Sequence, residues 1–306
     1  MSLSDDVKRE LARVGTTDDC DRLAELSGLF HSAGRLHLRG RGDVTLHLDV
    51  GESAVARCAF TLLRELGVVS EIRTYRRRAF DGATRYQLHV QGGVQALRVL
   101  REAGVLGPGN APLEQPPRRV VRKACCRRSY LRGALLGGGS VSGPRTPHLE
   151  IRATGLAGAE FLADVARRER LQLQVLDRGR HAVAYAKGAA AIADVLNATG
   201  AGDAVLSFEE RAVVGATRAR ANRLANADHA NLVRTAQAAH RQAVAVTRLA
   251  ANGRLETLPP RLREAADLRL RHPTLSLREL AGKCRPPVTK AAFHQRLARL
   301  VQLSDI

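Results

Sequence analysis

At 306 residues, 44% hydrophobic and 26% charged, the chain has the composition of a folded protein of one to three domains rather than a disordered one. Its 49 Lys and Arg exceed 30 Asp and Glu by 19 charges, which points to a polyanionic partner, nucleic acid first. MSLSDDVKRELARV lacks the basic-then-apolar order of a leader, and no apolar run reaches the ~18–20 residues of a membrane span. A cytoplasmic, nucleoid-associated location without membrane contact is expected. The cysteines Cys20, Cys58, Cys125, Cys126 and Cys284 are scattered without a CxxC pair, so reduced thiols are expected, with neither a disulfide framework nor a metal site. Six Phe, four Tyr and no Trp leave few platforms for stacking single-stranded bases, which favours duplex DNA.

The first 19 residues read as a helix, and an internal repeat follows. Leu26-Ser-Gly-Leu-Phe-His-Ser-Ala-Gly34 aligns with Leu131-Arg-Gly-Ala-Leu-Leu-Gly-Gly-Gly139 at an offset of 105. After each helix come strands closing on Thr45–Val50 or His148–Arg152, then helices Glu52–Leu66 or Gly158–Arg168. Strands Glu71–Arg77 and Arg85–Gln91, or Leu171–Asp177 and His181–Lys187, lead to closing helices Val94–Ala103 and Ala189–Thr199. The order αββαββα thus occurs over 20–107 and again over 125–207. Gly28 and Ser32, like Gly133 and Gly137, are small residues one turn apart, where the two first helices are expected to pack. Gly34 and Gly139 are expected as left-handed caps.

Alternation puts Val44, Leu46, Leu48 and Val50 on a core face, with Tyr86, Leu88 and Val90 likewise sharing one side of their strand. The opposite face carries Arg73, Tyr75, Arg77, Arg85, Gln87, Arg152, Gln172 and Gln174, either as a solvated sheet surface or as one that tracks phosphate. Between the repeats, 108–124 is a Pro-rich basic linker, and from Pro116 to Gly133 there are seven basic residues and no acid. Arg118, Arg119, Arg122 and Lys123 are candidate phosphate contacts. Residues 208–256 read as a helical linker, with an Ala-rich helix from about Asp228 to Ala251.

The tail, 257–306, reads as a helix-turn-helix domain. Leu262, Ala265, Ala266 and Leu270 recur at helical spacing over Arg261–Arg271, and His272-Pro273 stops that helix. Ser276-Leu-Arg-Glu279 is a capping box for a second helix; Cys284-Arg-Pro-Pro287 forces a turn; Thr289 caps a third helix reaching about Leu300. The helix-turn-helix span is Leu275 to Ile306, and Thr289, Lys290, Gln295, Arg296 and Arg299 are the expected major-groove residues, Lys290 as a phosphate contact. His294 falls nearer the apolar side as a packing residue. From Arg261 to Ile306, ten basic residues against four acidic ones leave this module basic as well.

At these residues the chain resembles a known family. The two glycine-striped helices resemble the LAGLIDADG motifs of homing endonucleases in a monomeric two-repeat arrangement. SDDVKRELARV, CCRRSYLRGALLGGGSV, HLEI, NRLANADHANL and the tail are similar to the WhiA family of bacterial sporulation and cell-division regulators. The implied fold is α+β, with two αββαββα LAGLIDADG-like repeats in one pseudo-twofold domain followed by an all-α helix-turn-helix domain. The resemblance implies a transcription factor for cell division, chromosome segregation and sporulation septation, in an actinobacterial, high-GC host. Its implied partners are promoter DNA, a WhiB-type iron–sulfur protein and, indirectly, RNA polymerase, with no cofactor of its own. Homing endonucleases hold their metals with an acid at the eighth letter of each motif; here those positions are Ala33 and Gly138, so catalysis is not expected. Asp49 and Glu150, placed at matching strand positions, are either a substitute carboxylate pair or ordinary sheet-surface residues. An active metal-dependent endonuclease and a non-specific nucleoid scaffold are the alternatives.

Overall fold

The computed structural model describes residues 2–39, 43–76 and 82–305, with backbone only at 38, 39 and 43. Arg77 and Ile306 therefore lie outside the described residues. The chain divides into two compact units, Met1–Gly215 and Ala216–Ile306.

In the first unit, α1 (Leu3–Leu11) opens with a capping box: the Ser2 hydroxyl accepts from the Asp5 N–H, and the Asp5 carboxylate accepts from the Ser2 N–H. Leu3, Val7 and Leu11, four residues apart, form its buried stripe. The first repeat follows as α2 (Asp19–Ala33), β1 (Gly34–Arg39), β2 (Asp43–Val50), α3 (Ser53–Glu65), β3 (Ser70–Arg76), β4 (Thr84–Gln91) and α4 (Val94–Glu102). The second follows as α5 (Ala124–Gly138), β5 (Gly139–Val141), β6 (His148–Ala153), α6 (Leu156–Arg168), β7 (Gln174–Asp177), β8 (Ala182–Lys187) and α7 (Ala189–Thr199). Among the described residues each copy forms a four-stranded antiparallel sheet, ordered β1-β2-β4-β3 and β5-β6-β8-β7. Val44, Leu46, Leu48 and Val50 face the core as their alternation requires. Strand β7 starts later than its apolar pattern suggests. Arg170 takes a positive φ of 62°, and the Leu171 N–H closes the end of α6 on the Ala166 carbonyl before extended pairing begins.

Helices α2 and α5 pack on each other through the predicted small-residue stripe. A methyl built on Gly28 would strike the Tyr130 carbonyl and lie 2.7 Å from the Ala134 nitrogen; one on Gly133 would strike the Glu25 carbonyl. Only glycine permits this approach. Gly34 and Gly139 depart from the expectation of left-handed caps: their φ/ψ are −76°/151° and −75°/148°, extended values open to any residue. Glycine is needed there for space, since a Cβ would come within 2.5 Å of the Phe30 carbonyl oxygen in one copy and 2.8 Å of Leu135 Cα in the other. The chain thus turns from helix directly into strand.

Register overturns the pairing of Asp49 with Glu150. Gly34 lies opposite Leu48, whereas Gly139 lies opposite Ile151, so the second hairpin is two residues shorter between equivalent partners. Asp49 therefore corresponds to Arg152, and Glu150 to His47.

Helix α8 (Gly202–Ala251) starts well before the predicted Asp228. Its beginning is capped from a distance: the Glu10 carboxylate accepts from the N–H groups of Asp203 at 2.8 Å and Ala204 at 2.7 Å. In the second unit, α9 (Pro260–Arg271), α10 (Leu277–Lys283) and α11 (Lys290–Ser304) surround a core of Leu262, Leu280, Phe293, Leu297 and Leu300, joined by Val246 and Leu249 of α8. Leu270, expected in that core, is 42% exposed, while Arg269 is buried in its stead.

Candidate nucleic-acid interface

Three local devices set the reading helix. Ser276 and Glu279 complete the capping box of α10, and the Thr289 hydroxyl accepts from the Ala292 N–H to cap α11. Buried Arg269 donates to the carbonyls of Pro273 and Leu275, at 3.3 and 3.0 Å, and so holds the turn into α10. Glu264 of α9 accepts from the Arg285 N–H at 2.7 Å and pairs with Arg296 at 3.3 Å, which ties the second turn and the flank of α11 to α9.

With Phe293, Leu297 and Leu300 inward, α11 exposes Lys290, Ala291, His294, Gln295, Ala298, Arg299 and Gln302, and Thr289 is exposed just before it. His294 is on this outer face, contrary to its expected packing role. It lies about 40° from Lys290 around the helix, within the exposed arc. Of the residues singled out for the groove, Thr289, Lys290, Gln295 and Arg299 share the open face, whereas the Arg296 side chain is only 20% exposed and engaged by Glu264. Neither Glu264 nor Arg269 carries a motif by which the sequence alone would reveal it.

In the first unit, the ends of α2 and α5 meet beside an open cavity of about 460 Å³, whose lining includes Ala33, Asp49, Arg35, Arg85, Arg152 and Arg180. Burial pulls the nearby Lys8 ammonium below its usual range; Asp5 and Glu52 oppose this, and Arg152 and Arg85 reinforce it. Gly138 has no room for a side chain: a Cβ there would lie 2.7 Å from the Arg152 carbonyl and 3.0 Å from Ser32 Cβ. Asp49 accepts from Tyr75 Oη at 3.2 Å and from Gln87 Nε2 at 3.1 Å; Glu150 accepts from Arg178 at 3.0 Å. Each is held within its own sheet face.

That polar face is only partly basic. Arg73 pairs with Glu71 at 2.8 Å, Gln174 is exposed on β7, and Gln172 precedes the strand. Across β1, β2 and β4 runs an unpredicted row of histidines: the His37 and His47 rings lie 4.5 Å apart, tilted by 45°, and His47 Nε2 is 2.7 Å from His89 Nδ1. Burial lowers the His47 pKa below its usual value, with His37 and His89 adding repulsion.

The basic linker divides by role. Arg118 and Arg122 are exposed, Arg118 lying 4.0 Å from Asp164. Arg119 donates to the carbonyls of Arg101 and Glu102 at the end of α4, and Lys123 Nζ lies 4.0 Å from Cys20 Sγ. Arg127 and Arg128 both grip Glu169, at 2.6 and 2.8 Å. The cysteines are not all scattered in space, because Cys20, Cys125 and Cys126 converge with Asp21 at the starts of α2 and α5. The 105-residue offset that equates Cys20 with Cys125 was the available signal.

Family models match along most of the chain: the WhiA N-terminal LAGLIDADG-like domain over residues 19–106, the WhiA LAGLIDADG-like domain over 127–218 and the WhiA C-terminal HTH domain over 221–304. The chain belongs to the WhiA family. Relatives named "Probable cell division protein WhiA" include one from Heliobacterium modesticaldum, 36% identical over 307 residues covering 100% of this chain and 96% of that protein. Another, from Symbiobacterium thermophilum, is 37% identical over 309 residues, covering 100% and 98%. The crystal structure of full-length DUF199/WhiA from Thermatoga maritima superposes with a TM-score of 0.58 at 23% identity, covering 100% of this chain and 98% of that one, which shows the shared fold. A chain of the WhiA family that joins LAGLIDADG-like and helix-turn-helix domains is consistent with DNA binding. Among the described residues no helix is long and apolar enough to cross a membrane.

Proposed function

We propose that the chain is a sequence-specific transcriptional regulator of cell division, chromosome segregation and sporulation septation, and that its LAGLIDADG-like unit does not cut DNA. The observation that carries this reading is the open face of α11, where Thr289, Lys290, Gln295 and Arg299 stand clear of a core closed by Phe293, Leu297 and Leu300. In the major groove Arg299 and Gln295 read base edges, Thr289 and Lys290 meet the backbone, and Arg296 positions the helix through Glu264. Arg118 and Arg122 supply phosphate contacts from the first unit. Loss of metal chemistry is supported by Ala33 and by the crowding at Gly138, where the family of nucleases needs paired acids. Family resemblance alone supports the finer biology: promoter occupancy in the nucleoid, a WhiB-type partner and an indirect effect on RNA polymerase.

The test is binding at physiological salt to duplexes recovered by chromatin occupancy, compared with random duplex. Arg299→Ala should cost ~1–3 kcal/mol on the specific site and little on random DNA, while Arg122→Ala weakens both alike. Equal losses for both variants on both duplexes refute the assigned roles. Site-specific cleavage with magnesium, abolished by Asp49→Asn, refutes the non-cleaving reading.

A further inference from the structure

We propose that Cys20, Cys125 and Cys126, together with Asp21, bind one zinc ion that joins the first turns of α2 and α5. Each of the four residues offers one ligand atom, and the four atoms lie within 4.8 Å of one another. Cys125 Sγ is 3.9 Å from Cys126 Sγ, and Cys20 Sγ is 3.7 Å from Asp21 Oδ1. A tetrahedral ion with zinc–sulfur bonds of about 2.3 Å has ligand–ligand edges of about 3.8 Å, so these separations need little adjustment. An iron–sulfur cluster spreads its four protein ligands over two or more iron atoms and needs wider spacing between those on different irons.

The donor set is also the right one. Three soft thiolates disfavour magnesium and calcium and select zinc or another thiophilic ion. Four protein ligands complete a tetrahedron, so the site is closed and structural rather than catalytic. A divalent ion with three thiolates and one carboxylate carries two negative charges. These face Lys123, whose Nζ is 4.0 Å from Cys20 Sγ, and the positive ends of two helices that carry no side-chain cap. Thiols bind zinc as thiolates, so binding displaces protons and weakens as pH falls.

Cys20 and Cys125 are equivalent residues of the two repeats, and Asp21 is equivalent to Cys126. The ion therefore bridges the copies, fastening α2 to α5 at the end remote from the arginine-lined cavity. The glycine stripe already holds these helices together, which makes the site a clamp added to an existing interface.

The test uses the full chain purified with a non-thiol reductant. One zinc per chain by elemental analysis is expected. Cobalt(II) added to the metal-stripped chain should give the thiolate-to-cobalt charge-transfer band and the strong visible bands of a tetrahedral centre. Cys20→Ser and Cys125→Ser should each weaken zinc affinity by more than the ~10–100-fold typical of losing an outer-shell partner, while Cys58→Ser and Cys284→Ser leave it unchanged. Cys125 is exposed, so its variant is expected to fold even where a change at buried Cys126 does not. Added zinc should raise the melting temperature of the wild type and not that of Cys125→Ser. The proposal is overturned if the reduced wild type neither retains nor takes up zinc or cobalt stoichiometrically, or if Cys20→Ser and Cys125→Ser both bind as tightly as the wild type.

Discussion

Arg132→Met is the sharpest probe of the helix pair that centres the first unit. Arg132 of α5 donates through Nε to Glu25 Oε2 of α2 at 3.0 Å, with a second nitrogen on the same oxygen. Glu25 is 0% and Arg132 7% exposed, so solvent cannot screen or replace the partner. Removing the guanidinium strands a buried carboxylate whose remaining neighbour is the Cys58 thiol at 3.8 Å. The expected cost is about 3–5 kcal/mol, or two to three and a half decades in the folded-to-unfolded ratio. Glu25→Leu combined with Arg132→Met removes both charges and should return to within about 1.5 kcal/mol of the wild type.

The deficit of the single variant also has a pH signature. Burial raises the Glu25 pKa even with Arg132 present, and without Arg132 it rises further. A raised folded pKa means that the folded state holds the proton more tightly. The penalty is therefore fully present above the folded value and fades as pH falls toward the unfolded value of about 4.3. Urea titration followed by tyrosine fluorescence reads this unit alone, because Tyr75, Tyr86, Tyr130 and Tyr185 all precede Ala216. A cost below about 1 kcal/mol, a deficit that does not shrink in acid, or a double variant as weak as the single one would refute the reasoning.

Further expectations concern other parts of both units. Gly133→Ala should destabilise the first unit by about 3 kcal/mol or more, since its methyl meets the backbone of Glu25 rather than a movable side chain; the same fluorescence titration checks it. The lowered His47 pKa stabilises the fold above the unfolded value of about 6.5 and is lost as pH falls through the folded value below it. Melting temperatures across that window should therefore drop, and His47→Gln should flatten the dependence. Ser276→Ala should cost the second unit about 1 kcal/mol in circular dichroism melts, with Ser276→Asp close to wild type.

Periodicity made most of this architecture legible. The glycine stripe on α2 and α5 was visible because residues one turn apart face one way, and the tail because Ser276, Glu279 and Thr289 cap their helices by local hydrogen bonds. What escaped depends on distance or count. Asp49 and Glu150 looked equivalent until two missing residues in the second hairpin shifted the register, and a shift within a hairpin leaves no mark on alternation. Arg269 was invisible as a buried residue because its partners are main-chain carbonyls, which every sequence supplies. Leu270, beside it, obeyed the apolar spacing yet faces out. The cysteine group joins segments over a hundred residues apart, so local spacing rules could not find it.

The crowding at Gly138 makes the route back toward a nuclease asymmetric. At Ala33 a methyl already stands, and lengthening it is a change of side chain alone. At Gly138 the carbonyl of Arg152 fills the space any Cβ must enter, so an acid there has to be preceded by movement of β6 itself. An acid at position 33 asks for a longer side chain alone, whereas one at position 138 also asks for backbone to give way.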